Sequence, residues 1–150
     1  MSYQSDLYQQ VILDHNKNPK NFREIAEHSH SCDGYNPLCG DKIKIWMNIS
    51  PAGAVEDVSF SGSGCAISKA SASMLTVNIK GKTVDEARVI FDEFHKMVIG
   101  EMDVATQKNH LGKLSIFSGV REFPSRIKCA TLAWHTMVCA LDKTGETTIE

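Results

Sequence analysis

Apolar positions along this chain recur with two different periods, and the changes of period predict its elements. "QSDLYQQVILDH" sets Leu7 and Val11, and Tyr8 and Ile12, four residues apart, the spacing of a first helix. That helix is expected to stop before "NKNPKN", where Pro19 and the asparagines disfavour continuation. Residues 20–38 show no period and read as irregular. "KIKIWMNI" then alternates, with Ile43, Ile45, Met47 and Ile49 on one side, as a half-buried strand does. "PAG" at 51–53 turns the chain and "VEDVSFSG" alternates again through Val58 and Phe60, which predicts an antiparallel pair.

After "GSG" at 62–64, "CAISKASASMLTVNIKG" reads as a helix closed by Gly81, with an Ala/Ser face suited to close packing on the sheet. "TVDEARVIFDEFHKMV" opens with Thr83 and Glu86 at capping-box spacing, so another helix is predicted. "LGKLSIFSGV" predicts a short helix ending near Gly119. "PSRIKCATLAWHTMVCAL" predicts the last helix, with Ser125 as N-cap and Ile127, Trp134, Val138 and Leu141 at helical spacing. The final "KTGETTIE", from about 143 to 150, reads as a loose tail. The sum is one α+β domain over 1–150, a small antiparallel sheet with helices packed mainly on one face.

Composition narrows the classes. A chain of 150 residues can bury a core without disulfide staples, and 42% hydrophobic with 23% charged residues is ordinary for a globular protein. A net charge of -2 supplies no cationic excess for phosphates, so no nucleic-acid partner is expected. No apolar run approaches the roughly 20 residues that cross a bilayer. "MSYQSDLYQQ" lacks the basic and apolar regions of a signal peptide, so a cytoplasmic protein without membrane contact is expected.

Cysteine changes the picture most. Five cysteines, an odd count in a reducing compartment, argue against a disulfide framework and for metal binding, catalysis or packing. Cys39 lies in "YNPLCGD", where Asn-Pro ahead and Gly40 behind mark a bend that carries a thiol and the Asp41 carboxylate. Cys65 begins a helix after a glycine pair, and Cys129 falls in the first turn of the last helix. Both positions sit near the positive end of a helix dipole, which favours the thiolate. With Asp41, the three could converge into a tetrahedral Cys₃Asp site, since thiolates select zinc or iron–sulfur and a carboxylate can complete four-coordinate zinc. Plain packing competes for each cysteine alone, and no CxxC knuckle is present.

Cys139 lies ten residues beyond Cys129, roughly 80° around the helix axis, and reads as core. Cys32 reads as a surface or packing residue, with a spare ligand as the other option. His15, His95 and His135 fall in predicted helices and His28, His30 and His110 in loops; no HExxH occurs, so each reads as a surface or satisfied polar residue. "GSG" is too short for a phosphate loop, and neither GxGxxG nor GxSxG is present.

Three stretches, "NPLCGD" (36–41), "GSGCAISKASAS" (62–73) and "FPSRIKCATLAWH" (123–135), together with "DHNKNPKNF" (14–22), resemble the SufU branch of the IscU/NifU N-terminal-domain family. The resemblance runs over nearly the whole chain. It implies an α+β domain in iron–sulfur cluster assembly, with ligand roles on Cys39, Asp41, Cys65 and Cys129 and none on Cys32 or Cys139. Scaffold-type members carry a histidine immediately before the last cysteine, where this chain has Lys128, and their Cys65–Cys129 interval is shorter. Both departures point to the SufU type, understood as zinc-dependent sulfurtransferases that work with a SufS-type cysteine desulfurase and serve downstream iron–sulfur assembly proteins.

On that reading Zn²⁺ keeps the three thiolates deprotonated, and sulfur transfer requires one ligand to leave, with the desulfurase supplying its replacement. Cys39 is the expected persulfide acceptor because a Gly-flanked loop moves more easily than a helix terminus. Arg126 and Lys128 beside Cys129 would offset negative charge or contact the desulfurase, against the plainer reading of two solvated cations. The competing readings are a [2Fe–2S] scaffold or carrier using the same ligands, and a purely structural zinc domain. A zinc hydrolase ranks last, because no Glu or His is visibly placed as a base for bound water.

Overall fold

A computed structural model describes residues 3–143 and 145–148. The elements run α1 (Tyr3–Lys17), β1 (His30–Asn36), β2 (Asp41–Ile49), β3 (Val55–Ser63), α2 (Ala66–Ile79), α3 (Val84–Val98), a 3₁₀ helix (Gly112–Glu122), α4 (Pro124–Asp142) and β4 (Glu146–Thr148). The alternation in β2 buries Ile43, Ile45 and Met47 against the helices and turns Lys42 and Lys44 outward. β3 pairs antiparallel with β2, placing Phe60 opposite Ile45 and Val58 opposite Met47. Thr83 and Glu86 form the expected capping box at the start of α3, with reciprocal hydrogen bonds of 3.1 and 3.0 Å.

Residues 30–36, read from the sequence as irregular, form β1 antiparallel to β2. Its inward positions are Cys32, Gly34 and Asn36, none of which supplies the apolar alternation by which a strand is recognised. The tail expected to be loose contributes β4, which runs parallel to β1 and makes the sheet mixed, in the order β3-β2-β1-β4. Left-handed Lys143 (φ 57) ends α4 and Gly145 (φ 92) completes the reversal that lays the threonines beside β1. Thr144, Ile149 and Glu150 lie outside the described residues. At the far edge, residues 21–23 run along β3; the Phe60 N–H donates to the Asn21 carbonyl and the Arg23 N–H to the Phe60 carbonyl, each at 3.0 Å.

α4 begins two residues earlier than expected. Phe123 is its N-cap and Pro124 opens the helix, where a missing N–H costs nothing, so Ser125 is not the cap. α4 crosses β1 closely because Gly34 has no side chain; a β-carbon there would collide with Thr136 Oγ1. The Ala/Ser face of α2 takes neighbouring helices as well as the sheet. Ser71 Oγ donates to the Ala130 carbonyl at 2.6 Å and accepts from Trp134 Nε1 at 3.1 Å. Phe94 stacks on Trp134 (4.7 Å between centroids) and meets Phe117 edge-on (5.6 Å), tying α3 and the 3₁₀ helix to α4.

The contact between α4 and β1 also joins Cys139 to Cys32 in a disulfide, with Cα atoms 5.9 Å apart. This corrects the expectation of no disulfide and removes Cys32 as a spare ligand. Both residues are buried, so Cys139 is core as predicted. The cysteines left free are Cys39, Cys65 and Cys129. Among the described residues no helix is long and apolar enough to cross a membrane.

Candidate metal centre

Asn36 and Asp41 face each other across β1 and β2, so residues 37–40 form a four-residue hairpin loop. The Gly40 N–H donates to the Asn36 carbonyl at 2.8 Å, and Gly40 takes the left-handed conformation (φ 73) that closes the turn. Cys39 stands exposed on this loop beside Leu38, which is 68% exposed. Asp41, the first residue of β2, points inward and is 1% exposed. Buried Cys129 arrives from the second turn of α4, two residues deeper than predicted because the helix starts at Pro124. Ligand atoms of Cys39, Asp41 and Cys129 lie within 4.8 Å of one another, and the two sulfurs are 3.7 Å apart.

Cys65 stands beside this trio and is not part of it. It is the N-cap of α2, and its Sγ accepts from the Ser68 N–H at 3.4 Å. The neighbouring Cys129 thiol, with the Ser68 and Ile67 N–H groups, pulls the Cys65 thiol down to about 6, against burial and the Asp41 charge. Cys129 moves the opposite way, held protonated by its hydrogen bond to Cys65, by burial and by the Cys65 and Asp41 charges. The charges of Cys65 and Asp41 thus oppose a further charge on Cys129. A bound cation would relieve that repulsion.

Asp41 is held at both oxygens. Oδ1 accepts from the Cys65 N–H at 2.9 Å, and Asn36 Nδ2 stands 3.3 Å from Oδ2. Buried polar atoms without a partner, among the described residues, are Tyr8 Oη, Asn36 Oδ1, Ser59 Oγ and Ser68 Oγ. Two of these belong to residues that meet the cysteines through other atoms. Asn36 Nδ2 is 3.9 Å from Cys129 Sγ, and Ser68 bonds Cys65. Burial raises the Tyr8 phenol; the Arg126 charge opposes the rise, and the Cys65 and Cys129 charges add to it. Two cysteine sulfurs and a buried carboxylate within ligand distance of one another fit a soft or borderline cation.

Arg126 is exposed, with its guanidinium 4.6 Å from the Phe123 ring centroid. It lines a cavity of about 620 Å³ shared with Tyr8 of α1 and Val120 of the 3₁₀ helix. Lys128 is half-buried one residue before Cys129. Among the described residues no hydrogen bond or ion pair joins either cation to the trio.

Asn36, Gly64, Ser68 and Tyr8 escaped the sequence reading. Asn36 and Asp41 flank a turn at hairpin spacing, but β1 lacks the apolar alternation that would have exposed the pairing. Gly64 was read only as part of the glycine pair ahead of Cys65 and of "GSG", with no role toward Asp41.

The family described as NifU-like N terminal domain matches residues 7–130, a span that includes all three free cysteines. The chain is similar to the zinc-dependent sulfurtransferase SufU of Bacillus subtilis (strain 168), with 45% identity over 132 residues, 87% of this chain and 86% of that protein. It is also similar to the iron-sulfur cluster assembly scaffold protein IscU of Streptococcus pyogenes serotype M1, with 36% identity over 145 residues, 97% and 89% of the two chains. Among solved structures, a candidate iron-sulfur cluster assembly scaffold for the SUF system from thermophilic Fervidobacterium islandicum AW-1 matches with a TM-score of 0.80 at 32% identity, covering 88% of this chain and 94% of that one. The family match over residues 7–130 and a relative 45% identical over most of both chains place this chain in the NifU-like N-terminal domain family.

Proposed function

We propose that this chain is a zinc-dependent sulfurtransferase that accepts persulfide sulfur from a SufS-type cysteine desulfurase for iron–sulfur cluster biogenesis. One observation carries the reading: a single exposed free thiol, Cys39, stands on a hairpin loop within ligand distance of buried Cys129 and Asp41. The Bacillus subtilis relative, 45% identical, is named for that chemistry.

Cys39, Asp41, Cys65 and Cys129 would hold the zinc, with Cys65 exchanging its capping bond to Ser68 for ligation. Bound zinc would keep the thiols deprotonated near neutral pH and preorganised. Asp41, fixed at both oxygens, presents a carboxylate that cannot swing away. Cys39 is the most exposed of the three free cysteines and so the most open to an external reactant. Its thiolate attacks the terminal sulfur of the desulfurase persulfide. The S–S bond of that persulfide breaks, the desulfurase cysteine leaves as a thiolate, and Cys39 carries the new persulfide without any added oxidant. Exposed Arg126 and half-buried Lys128 add positive charge where an anionic persulfide approaches, and exposed Leu38 offers apolar contact beside the acceptor. Downstream iron–sulfur assembly proteins then receive the sulfur.

A [2Fe–2S] scaffold is the second reading, favoured by the relative from Streptococcus pyogenes, which is named as a scaffold protein. Lys128 at the place of the scaffold-type histidine favours sulfur transfer. Incubation with a SufS-type desulfurase and cysteine, followed by peptide mass analysis, should find one added sulfur on Cys39. A Cys39→Ala protein that keeps zinc and still relays sulfur at the wild-type rate refutes the assignment. Anaerobic reconstitution with transfer of an intact cluster to an apo-acceptor would support the scaffold instead.

A further inference from the structure

Asn36 is fully buried, and only one side of its amide has partners. Nδ2 stands 3.3 Å from Asp41 Oδ2 and 3.9 Å from Cys129 Sγ, while Oδ1 has no partner among the described residues. Turned over, the amide would set its oxygen against a carboxylate and a sulfur, so charge decides its orientation. A leucine of similar volume would fill the space without burying an unpaired oxygen. Packing alone therefore does not account for asparagine at this position. An N–H donor aimed at two acidic groups does.

The backbone reinforces the argument. Asn36 and Asp41 are register partners at the base of the loop that carries Cys39. The Asn36 carbonyl also accepts the Gly40 N–H that closes the loop. Through its side chain, the same residue reaches from the hairpin to Cys129 on α4.

We propose that Asn36 is a positioning residue that locks the Asp41 carboxylate in its ligating orientation and offsets the negative charge where Cys39, Asp41 and Cys129 meet. Because it ties the hairpin base to α4, Cys39 at the loop can leave the group while Asp41 and Cys129 stay together. The role rests on the zinc reading given above and extends it to a residue that is not itself one of the proposed ligands.

The test is zinc affinity measured by competition with a chromogenic chelator, on wild type, Asn36→Leu, Asp41→Ala and the double variant. Substituting a residue that orients a metal ligand typically costs 10- to 100-fold in affinity. Asn36→Leu should therefore bind zinc about tenfold or more weakly, with an altered absorption envelope in the Co²⁺ form. The metal-free variant should melt no lower than wild type, since the unpaired oxygen is gone. In the Asp41→Ala background the same substitution should change affinity by about twofold at most, because its main target is absent. Wild-type affinity in Asn36→Leu overturns the proposal. So does an equal loss in both backgrounds, or a loss matched by a lower melting temperature of the metal-free protein. Failure of the sulfurtransferase reading looks different: the wild-type protein would hold zinc, with this pattern intact, yet gain no sulfur on Cys39. A wild-type protein that holds no zinc overturns both.

Discussion

The carboxylate of Asp41 fills the space that a side chain on residue 64 would need, so a β-carbon on Gly64 would collide with it. Gly64 also has φ 151, a conformation that L side chains rarely adopt, and the next N–H, of Cys65, donates to the same carboxylate. Gly64→Ala should displace Asp41, lower stability by about 1–3 kcal/mol and weaken zinc binding about tenfold or more. Chelator competition and thermal unfolding check this; unchanged affinity would mean that Asp41 is not held by this contact.

Removing zinc should leave the fold intact. The buried cluster of Phe60, Phe94, Phe117, Trp134 and Leu75 includes none of the free cysteines. With free zinc at 1,000 times Kd, the metal adds about 4 kcal/mol. At roughly 2–4 °C per kcal/mol for a chain of this size, chelation should lower Tm by about 8–16 °C. The far-UV circular dichroism should persist. Its collapse would identify a purely structural zinc domain.

The Cys32–Cys139 bond closes a sequence separation of 107 residues. A loop of that length corresponds to about 4–5 kcal/mol in the chain-entropy model. Cys32→Ala should shift the urea midpoint strongly downward without reductant and much less in its presence. If reductant leaves the wild-type midpoint unmoved, the two thiols are not joined in solution.

Asp57 anchors the segment that covers the β3 edge, accepting from Arg23 at 2.7 Å with Lys80 Nζ at 3.5 Å. The Arg23 hydrogen bond is the main cause holding its carboxyl below the ordinary 3.8. A depressed carboxyl contributes stability that is present above its unfolded value and lost as pH falls through the folded one. Relative to wild type, Asp57→Asn should therefore cost about 0.5–1 kcal/mol at neutral pH. As pH falls from the unfolded value through the folded one, the two proteins should converge. A constant gap across that range would refute the linkage.

The long periodic elements were legible because period and burial agree in them: β2 and β3 alternate, and α3 announces its own cap. β1 was illegible for a physical reason. Its inward positions are a disulfide cysteine, a glycine making room for Thr136 and an asparagine serving the site, so none displays hydrophobicity. Missing β1 hid two further facts, the hairpin that presents Cys39 and the partner of Cys139. Of the four expected ligands, Cys39, Asp41 and Cys129 converge, whereas Cys65 is engaged in capping α2. Such competition between a local backbone N–H and a distant ligand set depends on tertiary distances, which spacing along a chain does not encode.

Strand addition is a common way for one protein to grip another, and it needs an unoccupied sheet edge. Here β3 is flanked by the segment through Phe22, and β1 by the three residues of β4. Strand addition could use only the short outer edge of β4 or the segment through Phe22, whereas the Cys39 loop, with Leu38 displayed beside its thiol, offers a small, chemically distinctive target.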